Sequence, residues 1–180
     1  IVYGPLINRN TTILFEGKPI RTPDASTFWR VIAEHKVNIM FTAPTAIRAI
    51  KKEDPNGDFI KQYDLSSLRI QFLAGERCDV ATLEWYCEHI PIPAIDHWWQ
   101  TESGWPMIAN MMGVEYLPIK PGSAGKAVTG YDIRIFGENG QELGPNEEGY
   151  VVIKLSLPPG TLLDLWKDNE RFKAGYLNKF

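Results

Sequence analysis

Apolar and polar positions follow two rhythms along this chain. "TTILFEG" (residues 11–17) is apolar and β-branched between turn formers, which predicts a strand. "TPDASTFWRVIAEHKV" (22–37) switches to helical spacing, with Phe28, Val31, Ile32 and His35 recurring on one face. Thr22 or Asp24 is placed to cap that helix, and Pro23 suits its first turn. "NIMFTAP" (38–44) predicts a second strand, and "TAIRAIKKED" (45–54) a second helix that stops ahead of Pro55. "LRIQFLAG" (68–75) predicts a third strand. "DVATLEWYCEHI" (79–90) predicts a third helix, with Asp79 as its cap and Val80, Leu83, Cys87 and Ile90 along one stripe. "IPAID" (92–96) closes the series as a fourth strand.

Such alternation of strands and helices specifies the α/β class: a mostly parallel sheet flanked by helices. Beyond residue 110 the period falls to two. "GYDIRIFGENGQELGPNEEGYVVIKL" (130–155) reads as two alternating strands around a turn-rich "GENG", hence a smaller antiparallel β layer. The expected division is an α/β subdomain over 1–110 and a β-rich subdomain over 111–180. The chain begins within a strand-and-loop region, and "GYLNKF" closes no element. Opening on Ile1 without a signal or transit segment, the chain is read as an internal fragment of a longer protein.

Composition changes this picture only by exclusion. The 180 residues suffice for one core without staples. A net charge of −3 argues against a nucleic-acid or anionic-membrane partner. No apolar run approaches the roughly 20 residues of a membrane span. Cys78 and Cys87 have neither metal-knuckle spacing nor the numbers for a disulfide framework, so they read as free thiols. His35, His89 and His97 are scattered and give no metal signature.

Candidate chemistry gathers at two strand ends, where open α/β sheets collect their ligands. One is "LAGER" (73–77) and the other "DHWWQTE" (96–102). If the second stays extended, Trp98 and Trp99 point to opposite faces. One indole then offers a flat face to a ring, a stack worth about 1 kcal/mol, and the other closes a small apolar pocket. The Thr101 hydroxyl suits a phosphate oxygen and the Glu102 carboxylate a Mg²⁺ ion. Gly75, lacking a side chain, admits a close approach. A nucleotide with an acyl substrate would use all of these. The plainer readings stand beside it: a Trp pair that only packs, a Thr-Glu pair in a solvated turn, and "LAGER" as an ordinary strand-to-helix turn with Glu76 favoured by the helix dipole.

Taken together, "DHWWQTESGWP", "FTAPTAIRAIKKED", "FLAGERCD", "GSAGKAVTGYDIRIF" and "GPNEEGYVVIKLSLPPG" resemble the adenylate-forming acyl-CoA synthetases, and among them the short-chain, propionate-activating members. The resemblance covers essentially the whole chain and implies part of the large N-terminal domain of such an enzyme. It further implies ligation of a short-chain carboxylate to coenzyme A through an acyl-adenylate, with ATP, Mg²⁺ and CoA as reactants, propionate favoured. By resemblance, Gly75, Glu76 and Arg77 border the AMP moiety, and Asp96, His97, Trp98, Gln100 and Thr101 continue the nucleotide wall. Glu102 corresponds to the Mg²⁺ ligand. Trp99 corresponds to the residue that closes the acyl pocket, and Ala74 to another of its walls, where alanine leaves room for about one more methylene than valine. That methylene is worth only about 1–3 kcal/mol, so discrimination is expected to be partial.

No catalytic residue is assigned within these 180 residues. The family's Ser/Thr/Gly-rich phosphate loop, its ribose-binding Asp, its hinge and its C-terminal lysine are absent from the sequence, so the fragment alone is expected not to turn over. "GSAGKA" (122–127) lacks P-loop spacing and reads as a turn. Ser103 replaces the Thr of many relatives. An acetate-CoA ligase and a non-catalytic nucleotide-binding module of the same fold are the alternatives kept open. A dinucleotide oxidoreductase is not, since "LAGERC" is no Gly-rich dinucleotide turn. The implied location is the mitochondrial matrix in a eukaryote and the cytoplasm otherwise. Oligomeric state stays open.

Overall fold

The computed structural model describes residues 3–180. The first element is a helix, α1 (Tyr3–Ile7), where strand and loop were expected; residues 1 and 2 lie outside the description. Helix α2 (Thr27–His35) leads to strand β1 (Ile39–Thr42) and helix α3 (Pro44–Glu53). Strand β2 (Ile70–Leu73), helix α4 (Val80–His89) and strand β3 (Ala94–Asp96) complete the α/β layer. The three strands pair in parallel in the order β1-β2-β3. Two small antiparallel sheets follow. One pairs β4 (Ile108–Ala109) with β5 (Lys126–Ala127), and the other pairs β6 (Ile133–Phe136) with β7 (Tyr150–Ile153). Helix α5 (Asn169–Tyr176) is the last element and had no counterpart in the sequence reading.

The expected strand at 11–17 does not form. Its β-branched composition suits a pleated surface, but no described strand pairs with it, and Leu14 is 90% exposed. Propensity without a ladder leaves the segment irregular. Helix α2 also begins later than its candidate caps. Asp24 Oδ1 accepts the Ser26 N–H at 2.8 Å, and Thr27 Oγ1 donates to the carbonyls of Thr22 and Asp24. These local bonds hold 22–26 in a turn instead of the first helical turn, so neither Thr22, Asp24 nor Pro23 occupies its expected helical position.

The core lies between the sheet and α2, α3 and α4. Trp29, Ile32, Ile47, Ile50, Leu73, Leu83, Tyr86 and Ala94 are buried there. The α4 stripe is rotated from expectation: Val80 and Cys87 are exposed, whereas Thr82, Trp85 and Tyr86 are buried. The aromatic pair can enter because its polar tips find partners. Trp85 Nε1 donates to the Pro55 carbonyl at 2.8 Å, and Tyr86 Oη to Gln71 Oε1 at 3.3 Å. On α2 the buried face likewise centres on Trp29 and Ile32, while Phe28 and Val31 are half-buried and His35 is exposed.

Candidate functional site

Register makes the site. Leu73 of β2 stands opposite Asp96 of β3 in a parallel pair. The two following loops therefore leave the sheet side by side, at the carboxyl edge expected to collect ligands. Two bonds clamp them together. His97 N–H donates to the Leu73 carbonyl at 3.1 Å, and Cys78 N–H to Asp96 Oδ2 at 3.0 Å. "LAGER" and "DHWWQTE" thus meet as one surface.

In the first loop, Ala74 is buried and donates its N–H to the Thr42 carbonyl at 3.2 Å. Gly75 has a φ of +103°, a conformation glycine adopts freely and other residues do not. Gly75, Glu76 and Arg77 are all exposed. The Glu76 carboxylate pairs with Arg48 of α3, whose Nε also lies 3.7 Å from Asp79 Oδ2. The N-cap of α4 is Asp79, as expected, accepting the Thr82 N–H at 2.9 Å. Arg48 had no sequence signal, because it enters the site only through the packing of α3 beside α4. The Cys78 thiol is buried, and burial, with Asp96 and Asp79 nearby, pushes its pKa up to about 12, so it stays a neutral core group.

In the second loop, Asp96 and His97 are buried. Burial raises the Asp96 pKa, opposed by the Cys78 N–H and the neighbouring His97. His97 lies edge-on to Phe41 and Phe72, at 5.4 and 5.8 Å, and its Nδ1 has no partner among the described residues. Burial lowers its pKa, so the imidazole is held neutral. A lowered folded pKa means the unfolded state binds the proton first as pH drops below 6.5, and stability is lost there. Asp96 acts lower and with the opposite sign. We expect urea midpoints to fall between pH 7.5 and 5.5, and His97→Phe to flatten that slope; an unchanged slope would place the titration elsewhere.

Trp98 remains in an extended bridge with Ile108: its N–H donates to the Ile108 carbonyl at 2.9 Å, and its own carbonyl accepts from Met107 and Ile108. Trp98 is half-buried and Trp99 is 37% exposed, so the two indoles have different environments. Gln100 and Thr101 are exposed. Thr101–Ser103 forms a tight 3-10 turn, fixed by buried Ser103, whose Oγ accepts the Gln100 N–H and donates to a neighbouring carbonyl. Glu102 sits half-buried on that turn. Its Oε1 accepts a hydrogen bond from Tyr176 Oη at 3.0 Å.

A cleft of about 220 Å³ opens beside Asp96, lined also by Asn110, Leu117, Ser123, Gly125 and Lys126. "GSAGKA" therefore does more than turn: it supplies β5 and part of this wall. Gly125 is required there, with φ +107° and a Cβ position only 2.8 Å from the Ala109 carbonyl. Arg77 reaches the same stretch, its Nη2 lying 2.9 Å from where a Gly122 Cβ would stand. Among the described residues no hydrogen bond or ion pair joins Glu102 to the 75–77 loop, and no group of three or more His, Cys, Asp and Glu could hold a metal. Glu102 is a lone carboxylate with one oxygen uncommitted. That fits a Mg²⁺ carried largely by phosphate oxygens and water, and not an all-protein cage.

Comparison with known proteins identifies the family. A family model for the AMP-binding enzyme family matches residues 1–156. The human acyl-CoA synthetase short-chain family member 3, mitochondrial, is 51% identical over all of this chain and 26% of its own length. The propionate–CoA ligase of Escherichia coli is 41% identical over all of this chain and 28% of its own. This chain thus spans just over a quarter of the length of these curated relatives. The crystal structure of the anthranilate CoA ligase AuaEII in complex with anthranoyl-AMP superposes with a TM-score of 0.75 at 28% identity, covering 94% of this chain and 30% of that one. The chain belongs to the AMP-binding enzyme family.

Proposed function

We propose that this chain is the nucleotide- and acyl-binding part of an enzyme that joins a short-chain carboxylate to coenzyme A through an acyl-adenylate, consuming ATP. The observation that carries the reading is the clamped pair of loops after β2 and β3, which sets an exposed Gly-Glu-Arg segment beside Asp96 and its cleft. In this reading the exposed Gly75, Glu76 and Arg77 border the AMP moiety, and Asp96, with one oxygen tied to Cys78 N, presents the other to the base. His97, Trp98, Gln100 and Thr101 continue the wall, and Glu102 is the Mg²⁺ ligand. Bound there, Mg²⁺ would screen the repulsion between carboxylate and α-phosphate. Relatives named as acyl-CoA synthetase and propionate–CoA ligase support the reaction class. The mammalian relatives' name suggests a mitochondrial site in a eukaryote, and the cytoplasm is the counterpart in a bacterium. A boundary near residue 110 divides an α/β portion from a β-rich one, and residues on both sides of it line the cleft beside Asp96.

Propionate is the proposed acid. Trp99 closes the pocket against long chains, and Ala74 leaves space that a valine would fill. Overpacking a tight wall costs about 1–3 kcal/mol, and this penalty falls on the longer acid. In the full-length protein, AMP formation with acetate, propionate and butyrate should show its highest kcat/KM at propionate. Ala74→Val should lower the propionate-to-acetate ratio about tenfold. A maximum at another acid retires the Ala74 argument. A folded, ATP-binding protein that makes no AMP with any acid would favour a non-catalytic module.

A further inference from the structure

We infer that Tyr176 is a positioning residue for the Glu102 carboxylate, a conclusion that rests on the proposed role of Glu102 toward Mg²⁺. The phenol donates to Glu102 Oε1 at 3.0 Å across 74 residues of sequence. Glu102 Oε2 accepts no hydrogen bond among the described residues. One oxygen is therefore held and the other is left for a ligand, the arrangement by which a neighbouring donor orients a metal-binding carboxylate.

The chain is built to deliver this contact. Leu162 N–H donates to the Glu102 carbonyl at 2.7 Å. A Cβ on Gly104 would stand 3.0 Å from the Gly160 carbonyl, so the backbone near 160 lies directly on the turn that carries Glu102. α5 then follows, capped by Asp168, whose Oδ1 accepts the Arg171 N–H at 3.2 Å. A helix of 8 residues that buries no side chain does not hold itself in water. Its place depends on what it touches, and among the described residues Tyr176–Glu102 is its one side-chain hydrogen bond to another element. The Tyr176 ring packs on Phe172 at 5.6 Å, which aims the hydroxyl.

Tyr176→Phe in the full-length protein isolates the hydroxyl. The position is 49% exposed and the ring is kept, so the variant leaves no cavity. Mn²⁺ serves as the probe, titrated by electron paramagnetic resonance with a non-hydrolysable ATP analogue bound. We expect roughly tenfold weaker Mn²⁺ binding, with the KM for the acid unchanged and no further weakening when the substitution is added to Glu102→Gln. Wild-type Mn²⁺ affinity in Tyr176→Phe, with a clear loss in Glu102→Gln, would overturn the role of Tyr176 and leave Glu102 standing. No loss in Glu102→Gln would overturn both. Equal losses from Tyr176→Phe with and without Glu102 would also overturn it, because the phenol would then act by another route.

Discussion

Trp29→Ala is expected to destabilise the protein by about 3–5 kcal/mol, the range for emptying a large aromatic site in a core. Trp29 is fully buried and packs on Tyr86, with ring centroids 6.4 Å apart. It joins α2 to the cluster formed by Ile47, Ile50 and Leu73. Against a total stability of about 5–15 kcal/mol, that loss is a large fraction of what holds the α/β layer together. The indole carries a cost as well. Its Nε1 is buried without a partner among the described residues, a penalty of about 1–3 kcal/mol. Trp29→Phe removes that donor along with the smaller ring, so the relief offsets most of the lost contact. We therefore expect a large drop in the urea midpoint for alanine and a small one for phenylalanine, both at unchanged slope. Equal losses would mean that the N–H is satisfied by an internal water.

The importance of Trp29 was only half legible in the sequence. Spacing placed Ile32 on the inner face of α2, but Trp29 lay off the chosen stripe. The same happened on α4, where Trp85 and Tyr86 enter the core because Pro55 and Gln71 supply partners from elsewhere. Elements that depend on local chemistry were readable: β1, β2 and β3, helix α3, and the Asp79 cap of α4. Elements that depend on a distant partner were not. Residues 11–17 have strand composition and no ladder, and β4 and β5 are too short to leave a period. At the site, the two strand ends were legible because adjacent parallel strands must release their loops on one side. Arg48 and Tyr176 were not, because each reaches the site by tertiary packing, Arg48 from the neighbouring helix and Tyr176 from 74 residues away.

Glu102→Gln is expected to lower adenylate formation in the full-length protein by about a hundredfold or more, since screening of phosphate charge is worth several kcal/mol and each 1.36 kcal/mol is tenfold. The substitution separates charge from shape. Glutamine keeps the side-chain length, and its amide oxygen can still accept from Tyr176 Oη, so the turn at Thr101–Ser103 and the docking of α5 should persist. Only the negative charge is lost. Metal-free ATP should then bind no more weakly than to the wild type, and at low salt somewhat more tightly, because a half-buried carboxylate near phosphates repels them. Glu102→Asp reverses the trade: charge is retained, but the carboxylate withdraws by one methylene and leaves the phenol's reach. Its defect should ease as Mg²⁺ is raised, whereas that of Glu102→Gln should ease far less. Pyrophosphate exchange measured across a Mg²⁺ series, with equilibrium binding of metal-free ATP alongside, distinguishes these outcomes. A glutamine variant that exchanges at the wild-type rate would remove Glu102 from the reaction and return the Thr-Glu pair to an ordinary turn.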